Sequence, residues 1–455
     1  MPIQPAQIAP QRTDLPREPW SLRDVSVLEI NLTDLEHNMR VLRRIVGPEC
    51  HLCPIVKADA YGLGAARIGK RLAFAGADML AVYTPEQAGE LMKTAVGCRI
   101  LVLMPVREIA RVDEIYRGLI ADKVHLTVHD LDHTGDLIAI TERYGLTINL
   151  HLEVDTGMSR GGCSVTEAPV VLEKIASCRR LKLAGIFTHF ATAESDIEFT
   201  NQQLAAFEKL LREQAAHIPK DCRVHAANTF AVLRGKRFHK TMVRIGLGWA
   251  GYGSEWMKGE MIGDAHQLRP ILAWKSRIVQ IKTIESGVAV GYGSRWKARR
   301  HTTLGLVPVG YADGYPTTLG TSNERAGAPC ASVAVFDNAS SGSSDEHGRL
   351  IGYAPVVGAV NMDQISIDLT DVLAKRGDNS SGAASALVGG IVEVISPNPK
   401  APNHLPTLAS LAGTIPHELL TRLNQRIPRR YVAPVTAVEH VPHLQPKRRE
   451  SAAVH

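Results

Sequence analysis

The sequence is organised around Pro54-Ile55-Val56-Lys57-Ala58-Asp59-Ala60-Tyr61-Gly62-Leu63-Gly64. An apolar run ends in a single lysine, and a tyrosine and a Gly-x-Gly segment follow before a helix-like segment over residues 65–75. Burial disfavours the charged form of a lysine, so Lys57 at the end of a buried strand would be a usable amine nucleophile or base. An isolated strand-end lysine more often reaches solvent, so this role depends on partners elsewhere in the chain.

Composition indicates an ordinary globular chain with room for two domains. Its 455 residues are 45% hydrophobic and 22% charged. No apolar run is long enough to span a membrane, residues 1–20 lack a signal core, and an odd number of cysteines, seven, suits a reducing compartment. We therefore expect a cytoplasmic protein with no membrane or nucleic-acid partner and no metal site. The ends, residues 1–20 and the basic tail 441–455, are predicted to be disordered.

The first large region, residues 21–262, alternates apolar runs with amphipathic helical segments. A capping box at Thr33-Asp34-Leu35-Glu36 predicts the start of the first helix. The alternation predicts an α/β fold, a (β/α)8 TIM-type barrel. Its eight predicted strands are residues 53–57, 79–82, 100–103, 124–128, 148–154, 183–188, 224–226 and 242–245.

The second region, residues 263–440, has a different texture. Short strand-like runs separated by turns predict a mainly β C-terminal domain. The runs are residues 272–280, 288–290, 303–309, 332–336, 354–360, 364–368 and 391–394. Residues 337–345 and 376–385 are predicted to be surface loops.

Polar residues follow several of the predicted barrel strands, at the end of the barrel where the chemistry of this fold is found. They are Lys57, Glu153, Arg160, His189, His225, Asn228, Thr229, Arg244, Gly246 and Leu247. The last two strand ends offer hydroxyl and backbone donors for a phosphate, although such residues also occur in ordinary loops. A phosphate there and an amine at Lys57 suggest a phosphorylated aldehyde cofactor, pyridoxal 5'-phosphate, bound covalently to the lysine.

Taken together, these segments resemble the alanine racemase family, and they run in family order over most of the chain. The matching segments are Val56-Lys57-Ala58-Asp59-Ala60-Tyr61-Gly62-Leu63-Gly64, Asp155-Thr156-Gly157-Met158-Ser159-Arg160, Thr188-His189-Phe190-Ala191-Thr192-Ala193, His225-Ala226-Ala227-Asn228-Thr229, Val243-Arg244-Ile245-Gly246-Leu247, Gly291-Tyr292-Gly293, Gly310-Tyr311-Ala312-Asp313-Gly314 and Gly358-Ala359-Val360-Asn361-Met362-Asp363-Gln364.

The resemblance implies a two-base racemase that interconverts L-alanine and D-alanine and supplies D-alanine for peptidoglycan. It implies that Lys57 binds the cofactor and acts as one base, and that Tyr292 from the partner subunit of a homodimer acts as the other. It further implies cofactor contacts and substrate contacts. The residues that would hold the cofactor's phosphate are Tyr61, Asn228, Thr229, Gly246 and Leu247, while Arg244 would face its pyridine nitrogen and His189 would stack on or beside its ring. The substrate set is Arg160 and Met362 of the partner subunit.

One position departs from the family pattern. Many members carry a carbamylated lysine two residues before the Asp-Thr-Gly-Met segment, and this chain has Glu153 there. A carbamate is anionic and attracts the nearby arginine, and Glu153 supplies negative charge directly. Because Glu153 is shorter than a carbamylated lysine, we expect Arg160 to sit differently and activity to be independent of bicarbonate. The alternative is a Glu153 that merely faces solvent.

Three other functions remain open on the residues alone. A racemase of broad amino-acid range is the closest rival, because Glu153 can alter the substrate pocket. A barrel-fold amino-acid decarboxylase would usually place a carboxylate, not Arg244, against the pyridine nitrogen. A non-catalytic pyridoxal phosphate carrier would resemble the barrel alone, without the domain that carries Tyr292 and Met362.

Overall fold

The computed structural model describes residues 25–257, 259–323, 330–337, 348–376 and 385–433. The predicted disordered ends, residues 1–20 and 441–455, lie outside these ranges. So do residues 338–345 and 377–384, most of the two predicted surface loops. Within the described residues, no helix is both long and apolar enough to cross a membrane.

Eight parallel strands form the barrel, which confirms the predicted fold class. They are His51–Pro54, Met79–Val82, Arg99–Pro105, Val124–Val128, Ile148–Asp155, Leu181–Phe187, Arg223–His225 and Met242–Ile245. From the second strand onward, each strand pairs with the next in parallel, and the last pairs with the first. A parallel bridge between Ile55 and Ala81 closes the ring between the first two strands. A short strand, Cys163–Ser164, extends the pairing of the fifth.

Helices surround the barrel as the alternating pattern predicts. They are Leu32–Val46, Ala65–Phe74, Pro85–Lys93, Glu114–Ile120, Leu131–Tyr144, Ala168–Ser177, Ile197–Glu213 and Thr229–Arg234. The predicted capping box at Thr33 is wrong. The cap is Asn31, whose Oδ1 accepts the N–H groups of Thr33 at 2.9 Å and Asp34 at 3.1 Å. An asparagine there satisfies two free N–H groups at once.

The second domain is built on a nine-stranded sheet among the described residues. Its strands, in spatial order, are Gln280–Ile284, Thr302–Val307, Ile365–Asp368, Leu350–Val357, Ser332–Phe336, Ile391–Ile395, Leu272–Arg277, Ser26–Asn31 and Arg429–Val432. A separate hairpin pairs Ala289–Val290 with Trp296–Lys297. The helices are Thr370–Arg376, Leu405–Ala412 and Pro416–Arg422. The mainly β character predicted for this region is confirmed.

The strand Ser26–Asn31 falls in the range predicted for the barrel, but its pairing joins it to the second sheet. It lies antiparallel to Leu272–Arg277 and parallel to Arg429–Val432. Its side chains Leu28 and Ile30 are fully buried. Periodicity along the sequence carries no information about which sheet a strand enters. The chain therefore starts in one domain, runs through the other and returns.

Short 3-10 turns complete the described elements. They are Lys236–Phe238, Leu247–Ala250, Ser254–Trp256, Gly263–Gln267, Tyr292–Ser294, Tyr311–Asp313 and Thr317–Leu319. The first barrel strand ends at Pro54, earlier than the predicted run 53–57, because Lys57–Tyr61 forms a separate helical segment beyond it. That segment has backbone angles of the left-handed region, which no apolar pattern predicts.

Candidate active site

Lys57 lies at the start of a left-handed helical turn at the C-terminal mouth of the barrel. The next four residues have positive φ angles of 51°, 55°, 54° and 56°, at Ala58, Asp59, Ala60 and Tyr61. Each such residue costs about 1–2 kcal/mol when it is not glycine. Strain concentrated in this way persists only where the surroundings enforce it, and it is typical of functional sites.

The C-terminal strand supplies part of that enforcement. Arg429 donates from Nε and Nη2 to the carbonyl oxygen of Gly62, at 3.2 and 3.0 Å. Tyr431 donates its hydroxyl to the carbonyl oxygen of Leu63 at 2.8 Å. A Cβ atom on Gly64 would lie 1.9 Å from the Tyr431 hydroxyl oxygen, so only glycine fits there. Sequence reasoning missed both residues, because nothing near residue 430 points to a partner at residue 62.

The ammonium group of Lys57 is partly buried and has no ion-pair partner among the described residues. Burial lowers the pKa of Lys57, and the positive charge of Arg160 lowers it further. Both effects increase the fraction of neutral amine, the form that can attack a carbonyl or accept a proton. The structure therefore gives Lys57 the electrostatic setting predicted from its place after a buried strand.

Three of the residues predicted to bind phosphate surround a gap kept open by a glycine. A Cβ atom on Gly246 would lie 3.3 Å from the Tyr61 hydroxyl oxygen and 3.5 Å from Thr229 Oγ1. Thr229 Oγ1 accepts the N–H groups of Gly246 at 2.8 Å and Gly248 at 3.3 Å. Two hydroxyls and a turn of backbone therefore converge on one space without a side chain in it.

The neighbouring residues Asn228 and Leu247 hold this turn in place. Asn228 Oδ1 accepts the N–H of Ala231 at 3.0 Å and so caps the helix Thr229–Arg234. Leu247 is buried and begins the 3-10 turn Leu247–Ala250. The structure thus brings together all five predicted phosphate-side residues, and it shows that Asn228 acts first as a helix cap.

Aromatic packing fixes the ring of Tyr61. The Tyr61 ring is stacked on Trp249 at 6.1 Å between centroids and 20° between planes, and His417 meets it edge-on at 5.7 Å. Trp249 Nε1 donates to the carbonyl oxygen of Ile55 at 3.0 Å, just before Lys57. Burial raises the pKa of Tyr61, so its hydroxyl remains a neutral donor. Sequence reasoning had assigned no role to His417.

Arg244 is buried at the centre of the mouth and donates from both terminal nitrogens. Nη1 lies 2.9 Å from Nδ1 of His225, and Nη2 lies 3.1 Å from Nδ1 of His189 and 2.8 Å from the carbonyl oxygen of Thr188. Its guanidinium carbon lies 4.8 Å from the ring centre of Phe187. Burial lowers the pKa of Arg244 to about 10, which leaves it charged near neutral pH. Arg244 and His189, which are both in the predicted cofactor set, are therefore in direct contact.

Glu153 forms an ion-pair contact with a histidine of the adjacent strand end. Its Oε2 lies 3.0 Å from Nδ1 of His129, and only 13% of its side chain is exposed, so the solvent-facing alternative is wrong. Arg160 is exposed and lies beyond a loop held by Asp155, whose Oδ1 accepts the N–H of Gly157 at 2.9 Å. Sequence reasoning missed the contact with His129, because that residue is distant in sequence and belongs to the neighbouring strand end.

Tyr292 and Met362 lie on neighbouring loops of the second domain and are both exposed, by 79% and 54%. A Cβ atom on Gly358 would lie 2.8 Å from the carbonyl oxygen of Val290, which shows how closely the loops pack. Tyr292 makes no hydrogen bond or ring contact with Lys57 in the described part of the chain. The structure therefore does not bring these two predicted residues together with the barrel-mouth cluster in a single chain. The described residues contain no group of His, Cys, Asp and Glu suited to a metal ion.

Comparison with known proteins identifies the family. The description "Alanine racemase, N-terminal domain" matches residues 30–254, and "Alanine racemase, C-terminal domain" matches residues 271–431. The alanine racemase of Methanococcus maripaludis is 30% identical over 89% of this chain and 98% of the relative. That of Synechocystis sp. is 31% identical over 90% and 99%.

Solved structures agree with these matches. The alanine racemase of Streptomyces coelicolor A3(2) superposes with a TM-score of 0.74 at 26% identity, over 90% of this chain and 98% of the other. That of Bartonella henselae, described as carrying covalently bound pyridoxal phosphate, has a TM-score of 0.71 at 26% identity over 90% and 99%. With both domains matched in order and nearly full coverage of its relatives, this chain belongs to the alanine racemase family.

Proposed function

We propose that this chain interconverts L-alanine and D-alanine with pyridoxal 5'-phosphate as its cofactor. The observation that carries the proposal is the barrel-mouth cluster, in which a lysine of lowered pKa lies on the same short turn as a buried tyrosine. The hydroxyl of that tyrosine borders the gap at Gly246. Family membership supplies the reaction, and the cluster supplies the residues.

The residues present fit the cofactor. Lys57 would bind it covalently, and the gap bordered by Tyr61, Thr229 and Gly246 would receive its phosphate on hydroxyl and backbone donors. Arg244 would face the pyridine nitrogen, and His189 would lie beside the ring. When bound, pyridoxal 5'-phosphate supplies the electron sink that makes the Cα proton of the substrate acidic.

Racemisation requires that a proton leave Cα from one face and return from the other, so two bases must lie on opposite sides. Lys57 Nζ would hold or accept the proton on one face, and Tyr292 Oη would do so on the other. Because Tyr292 and Met362 are exposed in the single chain, they are free to reach the site of a second copy. We therefore infer a homodimer with shared active sites, in which Arg160 and the second copy's Met362 border the substrate.

Arg244 restrains the electron sink. The buried guanidinium of Arg244 stays protonated and donates to His225 and His189. Because it is a positively charged donor, it would disfavour protonation of the pyridine nitrogen placed against it. Restraint of this kind limits side reactions at Cα, and it argues against a decarboxylase, which benefits from a carboxylate at this position. A second domain that carries Tyr292 and Met362 argues against a non-catalytic carrier. We infer a cytoplasmic enzyme whose D-alanine enters peptidoglycan.

The test is chiral analysis of products from L-alanine, D-alanine, L-serine and L-lysine. Wild type should racemise alanine fastest, and comparable rates on serine or lysine would favour the broad-range alternative. Lys57→Ala should abolish activity, and Tyr292→Phe should slow exchange of the Cα proton of L-alanine more than that of D-alanine. Lys93→Ala, a change at an exposed residue elsewhere, is the control. Racemisation by Lys57→Ala would refute the proposal.

Mixing the Lys57→Ala and Tyr292→Phe variants tests the shared site. In a mixed dimer of Lys57→Ala and Tyr292→Phe, one site carries both changes and the other carries neither, so random mixing restores about one quarter of wild-type activity. If both bases came from one chain, mixing would restore nothing. The experiment therefore separates a shared site from a site within one chain.

A further inference from the structure

Three histidines, His225, His151 and His125, lie in a continuous row through the barrel interior beneath Arg244. We call this row, with Arg244 and Asp122 at its ends, the histidine chain. Nη1 of Arg244 lies 2.9 Å from Nδ1 of His225, whose Nε2 lies 2.9 Å from Nδ1 of His151. Nε2 of His151 lies 3.1 Å from Nδ1 of His125, whose Nε2 lies 3.3 Å from Oδ1 of Asp122. The four interior side chains are at most 4% exposed, and Asp122 is at the opposite mouth of the barrel.

The arginine dictates which nitrogen of each histidine carries the proton. A guanidinium can only donate, so Nδ1 of His225 must accept, and the proton of His225 is on Nε2. That proton is donated to Nδ1 of His151, which places the proton of His151 on Nε2, and the same step repeats at His125. The proton of His125 is then on Nε2, the nitrogen that lies 3.3 Å from Oδ1 of Asp122. Every link thus runs in one direction, from a permanent cation to an anion.

The histidines stay neutral in this arrangement. Burial lowers the pKa of His125 to about 4 and places the pKa values of His151 and His225 well below the usual value. The positive charges of Arg223 and Arg244 act in the same direction on His151 and His225. Neutral rings in a chain of this kind polarise one another, so the chain couples its two ends more strongly than separate bonds would.

Asp122, at the far end of the histidine chain, is also held by several side-chain contacts. Asp122 Oδ2 accepts from Nη2 of Arg99 at 2.6 Å, and its Oδ1 accepts from Nδ2 of Asn149 at 2.6 Å. Its backbone has φ of 53°, a strained value that holds the carboxylate beneath His125. Burial opposes ionisation of Asp122, but Arg99 and His125 outweigh it and lower its pKa. The carboxylate is therefore charged near neutral pH.

The barrel interior also leaves space for the histidine chain. A Cβ atom on Gly185 would lie 2.2 Å from Nδ1 of His151, so the sixth strand carries a glycine where the imidazole needs its space. Below His125 the barrel opens into a cavity of about 830 Å³, lined in part by Asp122, Arg99 and Asp221. Asp221 lines the same cavity, but among the described residues it takes part in none of the contacts of the histidine chain, so it provides a matched control.

We propose that Asp122, His125 and His151 are positioning residues that act through His225 on Arg244, fixing its orientation and donor pattern from the opposite mouth of the barrel. The importance of Arg244 itself rests on the proposed function, whereas the direction of the chain rests on geometry alone. An Arg244 held in this way keeps Nη2 directed at His189.

The first test measures tautomers by NMR of the full-length protein labelled with ¹⁵N at histidine, with and without added pyridoxal 5'-phosphate. Between about pH 6 and 8, His125, His151 and His225 should all be neutral with the proton on Nε2. A charged ring or an Nδ1–H tautomer at any of the three overturns the proposal. This result does not depend on activity. A protein that fails to racemise alanine would refute the proposed function but would not contradict the proposed direction of the histidine chain.

The second test uses Asp122→Asn, since asparagine tolerates positive φ as aspartate does. Its Oδ1 would turn to Arg99 and its NH2 group to His125, which forces a donor against a donor in the chain. We expect a changed tautomer at His125, with kcat lowered and the Kd for pyridoxal 5'-phosphate raised about tenfold, and KM for alanine little changed. Asp221→Asn should remain within about twofold of wild type. Equal values for both variants would overturn the proposal.

The third test asks whether the effect on Arg244 requires an unbroken series of hydrogen bonds along the histidine chain. His151→Phe fills the same space but neither accepts nor donates, and it should lower kcat about as much as Asp122→Asn. His151→Gln can accept through Oε1 from His225 and donate through Nε2 to His125, so it should recover most of the loss. A glutamine variant no better than the phenylalanine variant would overturn the proposal.

Discussion

Nδ1 of His129 lies 3.0 Å from Oε2 of Glu153, at the position where many alanine racemases carry a carbamylated lysine. Nε2 of the same ring lies 3.0 Å from the carbonyl oxygen of Leu103. The carboxylate expected at this position is thus present, and the side chain that it faces is a histidine from the adjacent strand end.

Glu153 should make the enzyme independent of bicarbonate. Because a carboxylate is permanently in place, adding or removing bicarbonate should leave the racemase rate of wild type unchanged. Glu153→Lys should lower kcat about tenfold or more, since a bare ammonium faces His129, and bicarbonate should restore part of it by converting the lysine to an anion. Clear activation of wild type by bicarbonate would contradict the prediction.

Arg160 should set the pH at which Lys57 becomes reactive. Burial and the charge of Arg160 both lower the pKa of Lys57, so neutral amine is available at lower pH than for an exposed lysine. Arg160→Gln removes one of these effects and should move the midpoint of cofactor loading against pH upward. Arg212→Gln, at an exposed helix position, is the control. An unchanged or lowered midpoint in Arg160→Gln would contradict this electrostatic account.

Gly64 should be intolerant of a side chain because of Tyr431, beyond the cost of its backbone angle. Gly64 and Gly76 both have φ of 94°, but a Cβ atom at 76 meets nothing within 4 Å, whereas one at 64 meets the Tyr431 hydroxyl. Gly76→Ala should cost about 1–2 kcal/mol of unfolding free energy. Gly64→Ala should cost a further ~1–3 kcal/mol for overpacking.

Tyr431→Phe provides the second half of that cycle. It removes the clashing oxygen and loses one hydrogen bond to Leu63, worth about 1 kcal/mol. The double variant Gly64→Ala with Tyr431→Phe should therefore be more stable than the sum of the single changes predicts, as measured by urea unfolding. Strict additivity would show that the clash is relieved elsewhere.

Arg244 should suppress side reactions. Arg244→Glu places a carboxylate at the pyridine side of the site, which favours protonation of the ring nitrogen and strengthens the electron sink. We expect the ratio of pyruvate formed from L-alanine to D-alanine formed to rise about tenfold or more. Arg244→Lys, which keeps the charge, should show a smaller rise. Unchanged partitioning in the glutamate variant would refute this role.

The sequence was sufficient for the fold class and for most residues at the barrel mouth, because both depend on local order along the chain. Apolar runs alternating with helices predict parallel strands, and the carboxyl ends of such strands meet at one edge. Lys57, Tyr61, Thr229, Arg244 and Gly246 therefore came together as expected. The start of the first helix was misplaced by two residues, since Asn31 and Thr33 are both good caps and only backbone geometry distinguishes them.

The chain order by itself determined which residues reach the mouth of the barrel and which chemistry their types allow. Only the tertiary structure decided the pairings across it: Glu153 with His129, Arg429 and Tyr431 on the turn after Lys57, and the file of histidines between Arg244 and Asp122. The reason is that hydrogen bonds and ion pairs act over about 3 Å in space. Residues as far apart in sequence as 62 and 429 acquire such a contact only when the sheets have closed.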